Sequence, residues 1–181
     1  MYSIWLMPDK LATERFQKVI ASLSEIHQSP IFTPHITLLS GIQEVNDLHY
    51  YKISVLAALT QAFDVLIGEL SSTSFYYKAL FLNTKPDEQL NKLQSEVAAI
   101  FPAVAYEFAP HLSLLYTNIK EDSARVEVPK DEFANMLQAA SIAVVKTEGK
   151  VEDWKVEDSF VLHQKEDFDM SELVQSLILT D

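Results

Sequence analysis

The chain contains no cysteine among its 181 residues. Disulfides, zinc–thiolate sites and thiol nucleophiles are therefore excluded. Glycine is scarce, with only three residues, and the seven prolines form no Pro-rich stretch, so no interdomain linker is expected. Positive charge is also scarce. Fourteen Lys and Arg stand against 26 Asp and Glu, giving a formal net charge of −12 and a pI near 4.7. Such a surface repels polyphosphate chains, so long nucleic acid is not an expected partner; a small nucleotide in a local pocket remains compatible. No apolar run approaches the roughly 18 residues of a membrane-spanning helix, and no membrane partner is expected. The start, Tyr2–Met7, lacks the basic segment and long apolar stretch of a secretory signal, which makes the cytoplasm the expected location. What is present is ordinary for a globular protein: 48% hydrophobic and 22% charged residues, in a chain long enough to bury a sizeable core.

Hydrophobic periodicity divides the chain into short strands and amphipathic helices. Residues 2–7 read as a strand ending at Pro8. Asp9 caps a helix over 10–27, with Leu11, Phe16, Val19, Ile20, Leu23 and Ile26 at helical spacing. Phe32–Leu39 reads as a second strand, and 44–62 as a helix, with Leu48, Tyr51, Val55, Leu59 and Phe63 at intervals of three or four. Two strands follow, Phe63–Leu70 and Phe75–Asn83, joined by the turn 71–74. Thr84 or Asp87 then caps a helix burying Leu90, Leu93, Val97 and Ile100. Glu107–Tyr116 is a further strand. Residues 117–130 read as a polar loop, Asp131–Leu137 as a short helix, Ser141–Lys146 and Trp154–His163 as a hairpin around Gly149, and Met170–Leu179 as a terminal helix.

An internal repeat emerges from this pass. A strand, Pro8-Asp9, a helix and Phe32-Thr-Pro-His-Ile-Thr-Leu-Leu39 are matched by a strand, Pro86-Asp87, a helix and Phe108-Ala-Pro-His-Leu-Ser-Leu-Leu115. The Pro-to-His separations are 27 and 25 residues. Two copies of one unit imply two lobes about a pseudo-twofold axis, each bringing one histidine towards it.

On a strand, residues i and i+2 share a face. His35 is thereby set beside Thr37, and His111 beside Ser113, while Ile36 and Leu112 turn to the core. Two imidazoles and two hydroxyls facing across a cleft suit hydrolysis of a cyclic phosphodiester. One imidazole takes a proton from water and the other gives one to the departing sugar oxygen, both tasks fitting a group whose ordinary pKa is about 6.5. The hydroxyls can bond the non-bridging oxygens, where charge accumulates. A lone histidine on a strand is most often structural. A matched pair in equivalent places of two half-repeats is not explained by packing, since buried imidazoles and hydroxyls need partners. No metal is required, and no carboxylate adjoins either motif to complete a metal site. His27 at a helix end, His49 on a polar helix face and His163 at a strand end read as surface residues. Trp5 and Tyr116, like Phe75-Tyr76-Tyr77, suit either core packing or stacking on a base, and Trp154 reads as structural.

With Tyr2-Ser-Ile-Trp-Leu-Met-Pro-Asp9, Phe32-Thr-Pro-His-Ile-Thr37, Pro110-His-Leu-Ser-Leu-Leu-Tyr116 and Ile142-Ala-Val-Val-Lys-Thr147 followed by Trp154, the chain resembles the two-histidine (2H) phosphoesterase superfamily. Within it, the likeness is to the cyclic nucleotide phosphodiesterase branch of plants and yeast. The resemblance spans about residues 1–163. It implies an α+β fold of two pseudo-symmetric antiparallel lobes, helices outside and a central water-filled cleft. It implies hydrolysis of ADP-ribose 1″,2″-cyclic phosphate to ADP-ribose 1″-phosphate, and of nucleoside 2′,3′-cyclic phosphates to 2′-phosphates, without metal or other cofactor. It implies Thr37 and Ser113 as phosphate ligands and Trp5, Tyr77 and Tyr116 as aromatic neighbours of the substrate. It favours His111 as the base and His35 as the acid, whereas the symmetry of the motifs alone decides neither. The chain departs from the plant enzymes in lacking cysteines that can pair, so no redox control is expected. Residues 117–135 match the family poorly, and the tail is an addition. One domain over 1–181, with 163–181 as an extra tail, and a monomeric state are expected.

Two other readings are open. An RNA-end 2′,3′-cyclic phosphodiesterase of the same superfamily is opposed by the negative charge and the lack of a Lys/Arg stripe. A nucleotide-binding module without turnover is opposed by the intact histidines and hydroxyls.

Overall fold

The protein is described from a computed structural model, covering residues 1–118 and 135–164. Its two half-repeats begin alike. Asp9 follows β1 (Tyr2–Pro8), and its Oδ1 accepts from the Ala12 N–H at 2.7 Å, opening α1 (Lys10–His27). Asp87 follows β4 (Leu80–Thr84), and its Oδ1 accepts from the Leu90 N–H at 2.9 Å, opening α3 (Glu88–Ile100). Each cap satisfies an N–H that the first helical turn leaves unpaired. Asp87, not Thr84, is the cap. In α1 Phe16, Val19, Ile20 and Leu23 are buried, but Leu11 and Ile26, read onto the same stripe from sequence, lie near the helix ends and are exposed. In α3 Leu90, Leu93 and Val97 are buried and Ile100 is partly buried.

Between and after these lie β2 (Ile36–Ile42), α2 (Asp47–Leu59), β3 (Phe63–Ser72), β5 (His111–Leu115), β6 (Met136–Lys146) and β7 (Lys155–Val161). All strand pairings among them are antiparallel. The order β1-β2-β5-β4-β3-β6-β7, with an added β1–β6 pairing, joins six strands in a ring and leaves β7 on β6. The strand β6 is long enough to serve both lobes: Met136–Ala139 pairs with β3, and Ala139–Lys146 pairs with β1. On the opposite side, β2 and β5 meet only at Ile36 and Leu112. Both residues are fully buried, and each directly follows a motif histidine. A single shared pair lets the two strands splay on either side of it. The helices cross over the seam, α1 packing on β5 and α3 on β2, so each covers the other half's histidine strand.

Several sequence expectations are corrected. The strands read as Phe32–Leu39 and Glu107–Tyr116 start only at Ile36 and His111. Pro34 and Pro110 have no N–H to give a ladder, so each histidine sits at a strand entrance. The strand read over Phe75–Asn83 is broken: Tyr76–Lys78 form a 3₁₀ turn before β4. Its carbonyls leave the ladder because the Ser113 hydroxyl donates to Tyr77 O, the Thr117 N–H to Tyr76 O and the Thr73 hydroxyl to Lys78 O. In α2 the stripe Leu48, Tyr51, Val55 and Leu59 faces out, and Ile53 and Ala57 are buried instead. This helix is apolar on more than one face, so periodicity alone did not mark the side that meets α3 and β7. Phe63 belongs to β3. Met136 and Leu137, read as a helix end, begin β6, where Met136 is exposed and Leu137 buried as strand alternation requires. The rest of that helix, most of the 117–130 loop and the terminal helix over Met170–Leu179 lie outside the described residues. The β6–β7 hairpin forms as read, and Gly149 supplies a φ of 81° in its loop. No helix among the described residues is long and apolar enough to cross a membrane.

Candidate active site

The two motif histidines are held in the same way. His35 Nδ1 lies 2.6 Å from the Thr33 carbonyl and His111 Nδ1 lies 2.7 Å from the Ala109 carbonyl. A carbonyl only accepts, so each Nδ1 carries the proton. The chain turns at Pro34 and Pro110 to bring each carbonyl back onto the ring two residues later. In both neutral rings Nε2 is left as the basic nitrogen.

Both histidines, Thr37 and Ser113 line one cleft of about 310 Å³, a volume suited to a small molecule. A bulge sets its first wall. Between Ile4 and Trp5, β1 advances one residue while β2 advances two, from Leu39 to Thr37. Leu38 and Leu39 are both fully buried, and Thr37 and Ser40 therefore both stay on the cleft side. Ser40 bonds Ser3 at 2.9 Å and Ser3 bonds Thr147 at 3.2 Å, making a neutral hydroxyl shelf at this end.

The environments of the two imidazoles differ. His35 is 5% exposed and lies flat on Trp5, with centroids 3.5 Å apart and planes 7° from parallel. Burial pulls its pKa down to about 4, against the opposing effect of the Thr33 bond. His111 is half-buried and meets the Phe81 ring edge-on at 5.3 Å. Burial lowers its pKa too; the Ala109 bond opposes this and the Lys78 charge adds to it. Both shifts favour the neutral imidazole in the free protein. Thr37 Oγ1 makes no hydrogen bond among the described residues, whereas the Ser113 hydroxyl donates to Tyr77 O at 3.1 Å.

Of the aromatic residues read from sequence, Trp5, Phe75, Tyr77 and Tyr116 line the cleft, in unequal roles, and Tyr76 does not. Trp5 is buried and gives a face to His35. Tyr116 is buried and stacks on Phe32 at 3.7 Å; burial drives its phenol pKa upward. Tyr77 is 42% exposed and available to a ligand. Trp154, read as structural, also lines the cleft, 5.7 Å from Tyr77 and 6.0 Å from Trp5. The pairing of β6 with β1 carries its hairpin to the site, which nothing local to Trp154 announces. Lys78, which no sequence motif marks, is likewise a cleft residue. Of the other histidines, none is fully exposed. His49 closes a capping box with Asn46 and packs on Phe101, and the backbone of His163 bonds Thr60 and Ala62. Among the described residues no group of three or more His, Asp or Glu is arranged to hold a metal.

The family model described as cyclic phosphodiesterase-like protein matches residues 1–162. The chain belongs to this family. It is accordingly a member of the cyclic phosphodiesterase branch of the 2H phosphoesterases. A cyclic phosphodiesterase of Arabidopsis thaliana is 23% identical over 126 residues, covering 69% of this chain and 70% of the relative. A 2′,3′-cyclic-nucleotide 3′-phosphodiesterase of Kluyveromyces lactis is 26% identical over 209 residues, covering 89% and 98%. The fold is shared with E. coli LigT, solved with 3′-AMP, at a TM-score of 0.63 and 15% identity over 90% of this chain and 98% of that one. The 2H phosphoesterase architecture, an antiparallel sheet with helices against it, is therefore that of this chain.

Proposed function

We propose that this cyclic phosphodiesterase-like protein hydrolyses small cyclic phosphodiesters by paired histidine catalysis. The observation that carries the reading is the cleft itself: two imidazoles, each fixed through Nδ1 to a backbone carbonyl, share it with Thr37 and Ser113.

In the reaction, His111 Nε2 takes a proton from water as the water oxygen bonds to phosphorus. The bond from phosphorus to one ring oxygen breaks, and that oxygen takes the Nε2 proton of the His35 imidazolium, formed by uptake of a proton from solvent and stabilised by the bound phosphate anion. The product is a phosphomonoester with one freed hydroxyl. Three features favour this division of labour. Lys78 opposes a second positive charge at His111, while the Trp5 face against His35 suits an imidazolium. The low-dielectric setting that lowers the His35 pKa in the empty cleft also strengthens its attraction to a bound phosphate anion. Thr37 donates to a non-bridging oxygen, and Ser113 does so after releasing Tyr77 O.

The substrates proposed are ADP-ribose 1″,2″-cyclic phosphate, opened to the 1″-phosphate, and nucleoside 2′,3′-cyclic phosphates, opened to 2′-phosphates. The name of the Kluyveromyces relative supports the second of these. Exposed Tyr77 with Trp154 offers a stacking surface for the base. Every step uses side chains of this chain, and turnover is expected to persist in EDTA. The test is a panel of ADP-ribose cyclic phosphate, the four nucleoside 2′,3′-cyclic phosphates and an RNA 2′,3′-cyclic end, each assayed with EDTA. Turnover of the small substrates supports the proposal. A large preference for the RNA end would replace it with the RNA-end reading.

A further inference from the structure

Lys78 closes the 3₁₀ turn that Ser113, Thr117 and Thr73 bond in place beside β5. Its side chain is half-buried and lines the same cleft as the histidines. Nζ lies 4.3 Å above the centre of the Phe81 ring, and the Phe81 ring in turn meets His111. This is the only Lys or Arg among the described residues lining the cleft. No described carboxylate forms an ion pair with it; the pairs found involve Lys10, Lys92, Lys146 and Lys155.

A partly desolvated ammonium without an anion is costly. The aromatic face of Phe81 offsets part of that cost and supplies no counter-charge. The chain has an excess of 12 negative charges, yet no described carboxylate lies within the 4.0 Å of an ion pair with this cation, although Asp87 lines a neighbouring cavity with it. An anion entering the cleft would complete the site.

We propose that Lys78 is a phosphate-binding residue, its ammonium holding a non-bridging oxygen of the phosphodiester on the His111 side of the cleft. This rests on the proposed reaction for the identity of the substrate, and the binding of phosphate itself is a separate observable. Lys78 supplies a fixed positive charge beside two imidazoles that are neutral when deprotonated. It also distinguishes the two ends: a cation beside His111, and the neutral shelf of Ser3, Ser40 and Thr147 beyond His35. The phosphate lies between the two histidines with its charge drawn towards Lys78, and a neutral hydroxyl-rich part of the ligand belongs at the shelf.

Calorimetric titration of the full chain with inorganic phosphate, a nucleoside 2′-monophosphate and the parent nucleoside tests the site. The proteins are wild type, Lys78→Gln, Lys78→Arg and the surface control Lys10→Gln. Lys78→Gln should weaken both phosphate ligands about ten- to a hundredfold, the range for a lost charge-assisted bond. Nucleoside affinity should stay unchanged, and Lys78→Arg and Lys10→Gln should retain phosphate binding. Steady-state assays should show the Lys78→Gln loss mainly as a raised KM. Undiminished phosphate binding in Lys78→Gln, or an equal loss for the neutral nucleoside, overturns the assignment. If wild type binds phosphate through Lys78 yet opens no cyclic phosphodiester, the proposed reaction fails and the anion site stands. If turnover is intact in wild type and unaltered in Lys78→Gln, the reverse holds.

Discussion

The His35 and His111 ends of the cleft are built from one repeated motif and finished differently. At the first, the imidazole is buried flat against Trp5, Thr37 is unbonded among the described residues, and the flanking polar groups are neutral hydroxyls. At the second, the imidazole is more open, Phe81 meets it edge-on, Lys78 stands near, and the Ser113 hydroxyl is already committed to Tyr77 O. The repeat supplies two interchangeable bases. The surroundings make them unequal, and the proposed chemistry needs them unequal, because one must lose a proton while the other gains one.

The largest effects break both ends. His35→Ala and His111→Ala should each lower kcat on a nucleoside 2′,3′-cyclic phosphate by about 10²–10⁴-fold, the usual contribution of a general acid or base, with circular dichroism unchanged. Near-normal turnover in either variant removes that histidine from the mechanism. Next come the hydroxyls. Thr37→Val should cost about tenfold or more in kcat/KM. Ser113→Ala should cost less in turnover and more in stability, about 1 kcal/mol in urea unfolding, because the Tyr77 carbonyl loses its donor. Equal kinetic losses with no stability difference would erase the distinction between them.

The pH dependence sharpens the comparison. Both histidine pKa values are lowered in the free protein, His35 to about 4. The plot of kcat/KM, which reports the free enzyme, should therefore have its upper limb below pH 6.5 and fall about tenfold per pH unit beyond it. Bound anion raises both values, so the kcat profile should shift to higher pH. A kcat/KM plateau extending to pH 8 would contradict the lowered values. The smallest effect concerns stability. A buried neutral histidine binds its proton more readily when unfolded, so the stability it contributes is present above pH 6.5 and is lost as pH falls towards 4, by roughly 3 kcal/mol at most. His35→Gln should flatten that slope more than His111→Gln.

Much of this arrangement was legible in the residues. Asp9 and Asp87, the paired Pro-His motifs and the core positions Ile36 and Leu112 follow from local chemistry and strand alternation. Their repetition points to one shared cleft. What was illegible depends on contacts distant in sequence. Nothing within α2 says which of its apolar faces meets α3. Nothing near Trp154 shows that β6 will carry it past Trp5. The break at Tyr76–Lys78 arises from Ser113 and Thr117, some 36 to 41 residues away. For the same reason Lys78, placed by that break, carried no signal in sequence.

The acid and base roles are separable by the leaving group. A nucleoside phosphate aryl ester departs as a phenolate that needs little protonation, whereas opening a cyclic phosphate frees a sugar alkoxide that needs a proton. Measuring kcat/KM for wild type, His35→Ala and His111→Ala on both substrates tests the central claim most directly. The predicted result is a deep loss for both variants on the cyclic phosphate and recovery on the aryl ester for His35→Ala alone. Recovery by His111→Ala instead would reverse the roles, and undiminished cyclic phosphate turnover in either variant would contradict the two-histidine mechanism.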